Sequence, residues 1–274
     1  MSPRARDLLD GRGIGYLDAT GNSKIVMAEP GLYICTQGSS RDPHPRPGRQ
    51  PSLRGPRAWA LLRTLAEVTP PYGIRELASA LRVDAGYVSR VVGVLEEELL
   101  VERAGRGRIT AVDWEGMLRQ LAATYSLSTS NETRTWIAPG GPAELFSRLS
   151  GAKAGRWAAT GSFPSSKIAP VAGPEIAVIY TDDVDQVARV ARLLPASTGA
   201  NVVTAVPYDP IVYERTWSLD GLPCVSLAQL VIDDLTGRGR MPAEGEALLD
   251  WMRRNPAPWQ APSLAQPAPP PTST

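Results

Sequence analysis

Histidine and cysteine are nearly missing from this chain of 274 residues: it has one histidine and two cysteines. The histidine, His44, sits among prolines and arginines, so a histidine-based catalytic triad has no base, and a histidine–cysteine metal site has too few ligands. Cys35 and Cys224 stand far apart and match no metal spacing, and two buried thiols are expected rather than a disulfide. No catalytic residue, metal or cofactor is therefore expected. Long apolar runs are also missing. None approaches the roughly 20 residues that a membrane-spanning helix needs. The opening MSPRARDLLDG lacks the apolar core of a signal peptide, so cytoplasmic residence is the expectation. Charge of one sign is missing too: 29 basic and 28 acidic residues leave a formal net charge of +1. Any nucleic-acid binding must then rest on a local patch.

What is present is the apolar fraction of a folded protein, 43%. The length is enough for two or three domains. The most informative stretch is 74–112. Leu77, Leu81, Val83, Val88 and Val91 recur where two short helices crossing at a turn must share a core. Ala78 is small, as a close crossing requires. Asp84 is a good N-cap for the second helix, 85–98. Val88, Val91, Val92, Leu95 and Leu99 form its inward face. Its other face carries Gly86, Tyr87, Ser89, Arg90 and Gly93, polar or small groups suited to base edges and phosphates. Arg82 occupies the turn position where glycine is usual. Two short strands follow, 100–103 and 108–112, joined by Ala104-Gly105-Arg106-Gly107. With Arg103, Arg106 and Arg108 the hairpin reads as a basic wing lying on a phosphate backbone. The predicted DNA-binding residues are Arg82, Gly86, Tyr87, Ser89, Arg90, Arg103, Arg106 and Arg108. A helical hairpin used only for packing, or a winged helix that meets another protein, is the alternative.

The rest of the chain is read around that motif. Residues 1–50 comprise a short helix at 4–9, strands at 14–17, 23–27 and 32–36, and a basic connector. This β-meander is too small to be stable alone and is expected to pack on the next part of the chain. Asp18, Lys24 and Glu29 are badly spaced for a nuclease, and structural support or a dimer contact is expected of the meander instead. The connector at 39–57 carries Arg41, Arg46, Arg49, Arg54 and Arg57, and reads either as a solvated linker or as an arm that adds phosphate contacts. Residues 51–126 form the winged helix-turn-helix unit, with helices at 56–67 and from Asp113 onward. Residues 127–256 read as an α/β domain. Strands are predicted at 133–137, 175–180, 201–206 and 213–218, and helices at 142–150, 154–159, 184–194, 227–236 and 243–254. The continuously apolar run Ile176 to Tyr180 predicts a central strand buried on both faces. Ser226 and Gln229 have capping-box spacing. Asp233 and Asp234 are expected in surface or interdomain ion pairs. The proline-rich tail, 257–274, is expected to be disordered or extended.

Several stretches in this order resemble the AbiEi-type antitoxins and related transcriptional regulators of type IV toxin–antitoxin systems. They are Gly13 to Asn22 (GIGYLDATGN), Gly86 to Arg90 (GYVSR), Ala159 to Ser162 (ATGS), Ile168 to Pro170, Leu227 to Gln229, and Asp234 to Arg240 (DLTGRGR). The resemblance covers nearly the whole chain except the tail. It implies an α+β protein with a winged helix and a nucleotidyltransferase-like C-terminal domain. It implies a repressor that binds double-stranded DNA at an operator, often an inverted repeat, and whose C-terminal domain helps counter a nucleotidyltransferase-like toxin, direct contact with that partner not being required. Because one helix-turn-helix reads only a few base pairs, a homodimer on DNA is expected. The alternative is a nucleotidyltransferase-like enzyme. Gly161-Ser162 would hold its triphosphate, but the strand beginning at Glu175 has Ala177 where the second, alternating carboxylate is needed. Asp182, Asp183 and Asp185 fit better as the acidic start of the next helix. The domain is therefore read as non-catalytic.

Overall fold

The computed structural model describes residues 1–39, 52–105, 107–256 and 259–265, and the chain is mixed α and β. The arginines Arg41, Arg46, Arg49 and Arg106, with His44, lie outside the described residues.

Helix α1, Pro3–Gly11, starts at Ser2, whose hydroxyl accepts from the Ala5 amide at 3.2 Å. Strands β1 (Tyr16–Leu17), β2 (Ser23–Met27) and β3 (Leu32–Thr36) form an antiparallel sheet in that order. The β1–β2 turn is tied by Asp18, which accepts from the amides of Thr20 and Asn22 at 2.9 and 3.0 Å. Its hydrogen bonds to Thr20 and Asn22, the Thr20 hydroxyl foremost, hold the carboxyl well below the usual range. The N-terminal unit meets the next part of the chain through Arg4 of its helix, which pairs with Asp113 and lies against Gly116, and not through an apolar sheet face. Asn22 and Ser23 are the buried residues of 1–39, the Asp18 carboxylate is nearly inaccessible too, and no apolar residue there is buried. Cys35 is exposed on β3, while Cys224 is buried, so only one of the two thiols is where it was expected.

Helices α2 (Pro56–Glu67), α3 (Ile74–Leu81) and α4 (Ala85–Glu97) precede a hairpin of β4 (Val101–Arg103) and β5 (Ile109–Val112), followed by α5 (Trp114–Ala122). Helical spacing explains the packing. Leu61, Leu62 and Leu65 of α2 meet Leu77 of α3, Val88, Val91, Val92 and Leu95 of α4, and Met117, Leu118 and Leu121 of α5, all essentially inaccessible. Asp84 and Asp113 cap α4 and α5, accepting from the amides of Tyr87 at 2.8 Å and Gly116 at 2.9 Å. Leu99 does not join the inward face. It stands past the end of α4 at φ 58° and is 54% exposed, and Leu100 is buried in its place. The hairpin is anchored at its base by Tyr72, which exchanges backbone hydrogen bonds with Ile109.

The remaining elements are α6 (Leu127–Ser130), β6 (Glu132–Ile137), α7 (Gly141–Ser150), β7 (Trp157–Thr160), α8 (Ser162–Ile168), β8 (Ala177–Thr181), α9 (Val184–Ala191), β9 (Leu194–Pro195), β10 (Val202–Val206), a 3-10 turn (Pro210–Tyr213), β11 (Trp217–Leu219), β12 (Leu222–Cys224), α10 (Leu227–Leu235) and α11 (Met241–Arg254). The sheet order is β11-β12-β7-β8-β10-β6-β9, with β8 parallel to β10 and antiparallel to β7. As its apolar run predicts, β8 is buried on both faces. Val178 and Tyr180 join the core shared with α2, α5 and α10, whereas Ala177 and Ile179 face the core of α7 and α9.

Three predicted elements are corrected. The segment expected as a helix at 154–159 is largely strand β7. Its four residues are all buried, and Gly155 and Gly161, both at positive φ, bound the segment. The strand expected at 213–218 is a 3-10 turn followed by the short β11, separated by Arg215 at φ 56°. The tail is not loose throughout. Trp259 is buried and lies 4.9 Å from Trp114, edge to face, while Ala261 pairs with the backbone of Glu67 and Thr69. A single large aromatic ring outweighs the surrounding proline-rich composition. Among the described residues no helix is long and apolar enough to cross a membrane.

Candidate nucleic-acid interface

Helix α4 sits on the α2–α3–α5 core by its valine face, so its opposite face is left to solvent. There Gly86, Ser89 and Arg90 are exposed. Tyr87 is half-buried against the core. Burial pushes its phenol up, and the nearby Arg57 guanidinium opposes the shift. At Gly86 a Cβ would stand 3.0 Å from an Asp84 carboxylate oxygen and 3.4 Å from an Arg90 guanidinium nitrogen. The glycine therefore gives both side chains their room.

Arg82 closes α3 in the left-handed region, at φ 53° and ψ 43°. Its amide returns to Ser79 at 3.3 Å, and that of Val83 returns to Ala78 at 3.0 Å. Glycine is favoured at such a helix end, and arginine there costs on the order of 1 kcal/mol. The side chain is exposed beside the start of α4.

Arg103 and Arg108 of the hairpin are placed differently from expectation. Arg103 is held by Glu96 of α4, with its Nε 3.0 Å from the carboxylate. Arg108 is held by Glu76 of α3 at 2.8 Å and by the Pro71 carbonyl at 2.7 Å. Neither is the uncommitted cation that a basic wing implies. Both pairs have an exposed partner, so phosphate can compete for them at small cost.

Arg75, Arg82 and Arg90 make no ion pair among the described residues. Arg75 was not counted among the binding residues. Its signal was the spacing Arg75, Ser79, Arg82, which returns every turn along the outer face of α3, and all three are exposed. At the far end of α4 the charge reverses, with Glu96, Glu97 and Glu98, then Glu102. An anionic backbone is thus attracted to the N-terminal half of the helix and repelled from its other end.

The carboxylates of the C-terminal region are mostly engaged. Asp182 pairs with Arg156 at 2.7 Å, Asp183 caps α9 by accepting from Gln186 at 2.9 Å, and Asp185 lies 3.4 Å from Arg134. Glu175 lies outside β8 and pairs with Arg240 at 2.7 Å. At Gly161 a Cβ would come within 3.1 Å of Val178 and Met241, so this glycine serves close packing. The Ser162 hydroxyl is buried and donates to Glu244 at 2.5 Å.

Asp233 and Asp234 are completely buried, which corrects the expected surface or interdomain ion pairs. Asp233 accepts from Tyr180 at 2.9 Å, Tyr125 at 3.1 Å, Gln229 at 2.9 Å and Thr160 at 2.7 Å. Burial pushes its carboxyl up to about 6 although these donors pull it down. Asp234 is also pushed well up by burial, with Glu244 adding to the effect and Ser165 opposing it. Gln229 does not complete a capping box. Its side chain bridges Asp233 and Arg63, while the Ser226 hydroxyl accepts from its amide at 3.2 Å. Arg63 is fully buried and donates to Glu67 at 2.8 Å and to the Glu214 carbonyl at 2.7 Å. The polar cluster thereby joins α2 to α10. Among the described residues no group of three or more histidine, cysteine, aspartate or glutamate side chains is arranged to hold a metal ion.

A protein-family model described as HVO_A0114 matches residues 55–116, which is α2 through the first turn of α5. No curated protein and no solved structure matches the chain.

Proposed function

We propose that the chain is a sequence-specific regulator of transcription that binds double-stranded DNA through a winged helix-turn-helix formed by α2 to α5. One observation carries this reading. The N-terminal half of α4 has an exposed polar face, Gly86, Ser89 and Arg90, beside Arg75 and Arg82, and these arginines make no ion pair among the described residues. In this reading α4 enters the major groove by its N-terminal end, with Ser89, Arg90 and the Tyr87 hydroxyl reading base edges or adjacent phosphates. Arg75 and Arg82 grip one backbone. The hairpin lies on the other once Arg103 and Arg108 exchange their carboxylates for phosphate, joined by Arg106. The residues beyond 126 form a nucleotidyltransferase-like, non-catalytic domain, because Ala177 to Thr181 offers no carboxylate to a metal ion. The resemblance to AbiEi-type antitoxins supports reading the protein as an autoregulating antitoxin that counters a nucleotidyltransferase-like toxin, without requiring direct contact with it.

The test is selection of duplexes from a random pool by the full chain. Enrichment of a common site is expected, with Arg90→Ala losing about 1–3 kcal/mol of preference for it. Recovery of unchanged random sequence by the parent would overturn the assignment.

A further inference from the structure

Residues 259–265 of the tail play no part in the DNA reading, yet they are firmly placed. Trp259 is buried against Trp114. The Ala261 amide donates to the Glu67 carbonyl at 2.8 Å, and its carbonyl accepts from the Thr69 amide at 2.9 Å. These anchors set residues 262–265 beside α3 and leave an open groove of about 710 Å³. That is the size of a site for a small organic molecule. Three segments far apart in sequence line it: 69–80, Arg108 of the hairpin, and the tail. Pro71, Tyr72, Ala80, Pro262 and Leu264 give it apolar walls. Tyr72 is held in place by its hydroxyl, which donates to the Leu65 carbonyl at 3.2 Å. The charges in the groove do not cancel. Arg108 holds Glu76, the acid of the lining, through both carboxylate oxygens, at 2.8 and 3.2 Å. Arg75 also lines the groove and makes no ion pair among the described residues, so its charge is left over.

We propose that this groove binds a small organic anion with an apolar body, its acid group on the Arg75 guanidinium and its body against Pro71, Ala80 and Leu264. Charge complementarity selects the anion. With Glu76 taken up by Arg108, the lining carries one positive charge in excess, and a planar guanidinium grips a carboxylate by two parallel hydrogen bonds. The walls select the body. A bare phosphate would satisfy Arg75 but leave the apolar walls empty, whereas an aromatic or aliphatic acid fills both. The tail selects for shape, because its backbone pairing with Glu67 and Thr69 fixes the far wall before any ligand arrives. Arg75 is shared with the proposed DNA face, so on that reading a bound anion and a duplex exclude each other. The site itself rests on the groove alone, and its test contains no DNA.

The probe is 2-naphthoate, an aromatic carboxylate, with 2-naphthamide as its uncharged counterpart. Isothermal titration of the full chain, taken up to about 1 mM ligand to reach weak binding, is compared for the parent, Arg75→Ala and Ala80→Trp. Both positions are exposed, so the variants should melt as the parent does. The parent is expected to take up a single equivalent of naphthoate. Arg75→Ala should lose about tenfold or more in affinity, and so should naphthamide on the parent. Ala80→Trp keeps Arg75 but fills the groove, and should lose as much. A parent that takes up no naphthoate overturns the proposal. So does an affinity unchanged in either variant, which would put the ligand elsewhere on the molecule. Naphthamide bound as tightly as naphthoate would overturn the choice of an anion.

Discussion

Two sets of polar side chains sit on either side of α2, and they differ in what their neighbours leave free. On the outer side, Arg75, Arg82 and Arg90 carry full charges and make no ion pair among the described residues. On the inner side, Arg63, Glu67, Gln229, Asp233 and Tyr180 are buried, and each is hydrogen-bonded to others of the set. Within the inner set burial raises the Asp233 carboxyl and the Tyr180 phenol, yet the set's hydrogen bonds are spent on holding the molecule together. A perturbed carboxyl marks a site only when something remains for a ligand to bind. The outer set has ordinary chemistry and open geometry, and binding is proposed there.

The comparison is sharpest where its two halves are broken separately. The largest effect is expected at Arg63. Arg63→Ala leaves the buried Glu67 with Arg215 and the Ser226 hydroxyl but without its i,i+4 arginine, and should lower unfolding free energy by about 3–5 kcal/mol in urea titration. Next is Asp233. Its carboxyl is raised in the folded state, so the folded chain holds the proton more tightly than the unfolded one. Its contribution is therefore fully present below the unfolded value of 3.8 and is lost as pH rises through about 6. Asp234 is shifted in the same direction. In Asp233→Asn, the fall in stability between these pH values should be shallower than in the parent, as thermal melts across that range would record.

Outer-face substitutions should leave stability nearly unchanged. Arg75→Ala is expected to weaken binding to all duplexes alike and to reduce the salt slope by about 1. Arg108→Ala should do less, because its charge is already shared with Glu76. Arg82→Gly should separate the two roles of that position. It relieves left-handed strain, raising stability by roughly 0.5–1 kcal/mol, and it removes a phosphate contact. A melt and a binding titration on the same variant would read both.

The helices around α4 were legible because their apolar residues recur at helical spacing and aspartates stand at both caps. Strand β8 was legible from the apolar run Ile176 to Tyr180, although the buried strand starts one residue later and Ile176 is exposed. Strand β7 was not: Trp-Ala-Ala-Thr has neither alternation nor β-branched density, and only pairing with β8 makes it a strand. The burial of Asp233 and Asp234 had a signal that their identity masked. Helix α10 is apolar nearly all round, from Leu227 to Ile232, as a helix surrounded by protein must be. The pairing of Arg103 and Arg108 had no local signal, since Glu96 is 7 residues and Glu76 is 32 residues away in sequence. The exposed sheet of residues 1–39 was also hidden, because alternation predicts a buried face without saying whether the same chain supplies its cover.

The most direct measurement is the affinity of the full chain for its selected duplex against a scrambled one, at fixed salt, for the parent and for Arg90→Ala. The parent should favour the selected duplex by about a thousandfold or more, and Arg90→Ala should lose about tenfold or more of that ratio while melting at the parent's temperature. Equal affinity of the parent for both duplexes, or an unchanged ratio in a well-folded Arg90→Ala, would contradict the assignment of the outer face of α4.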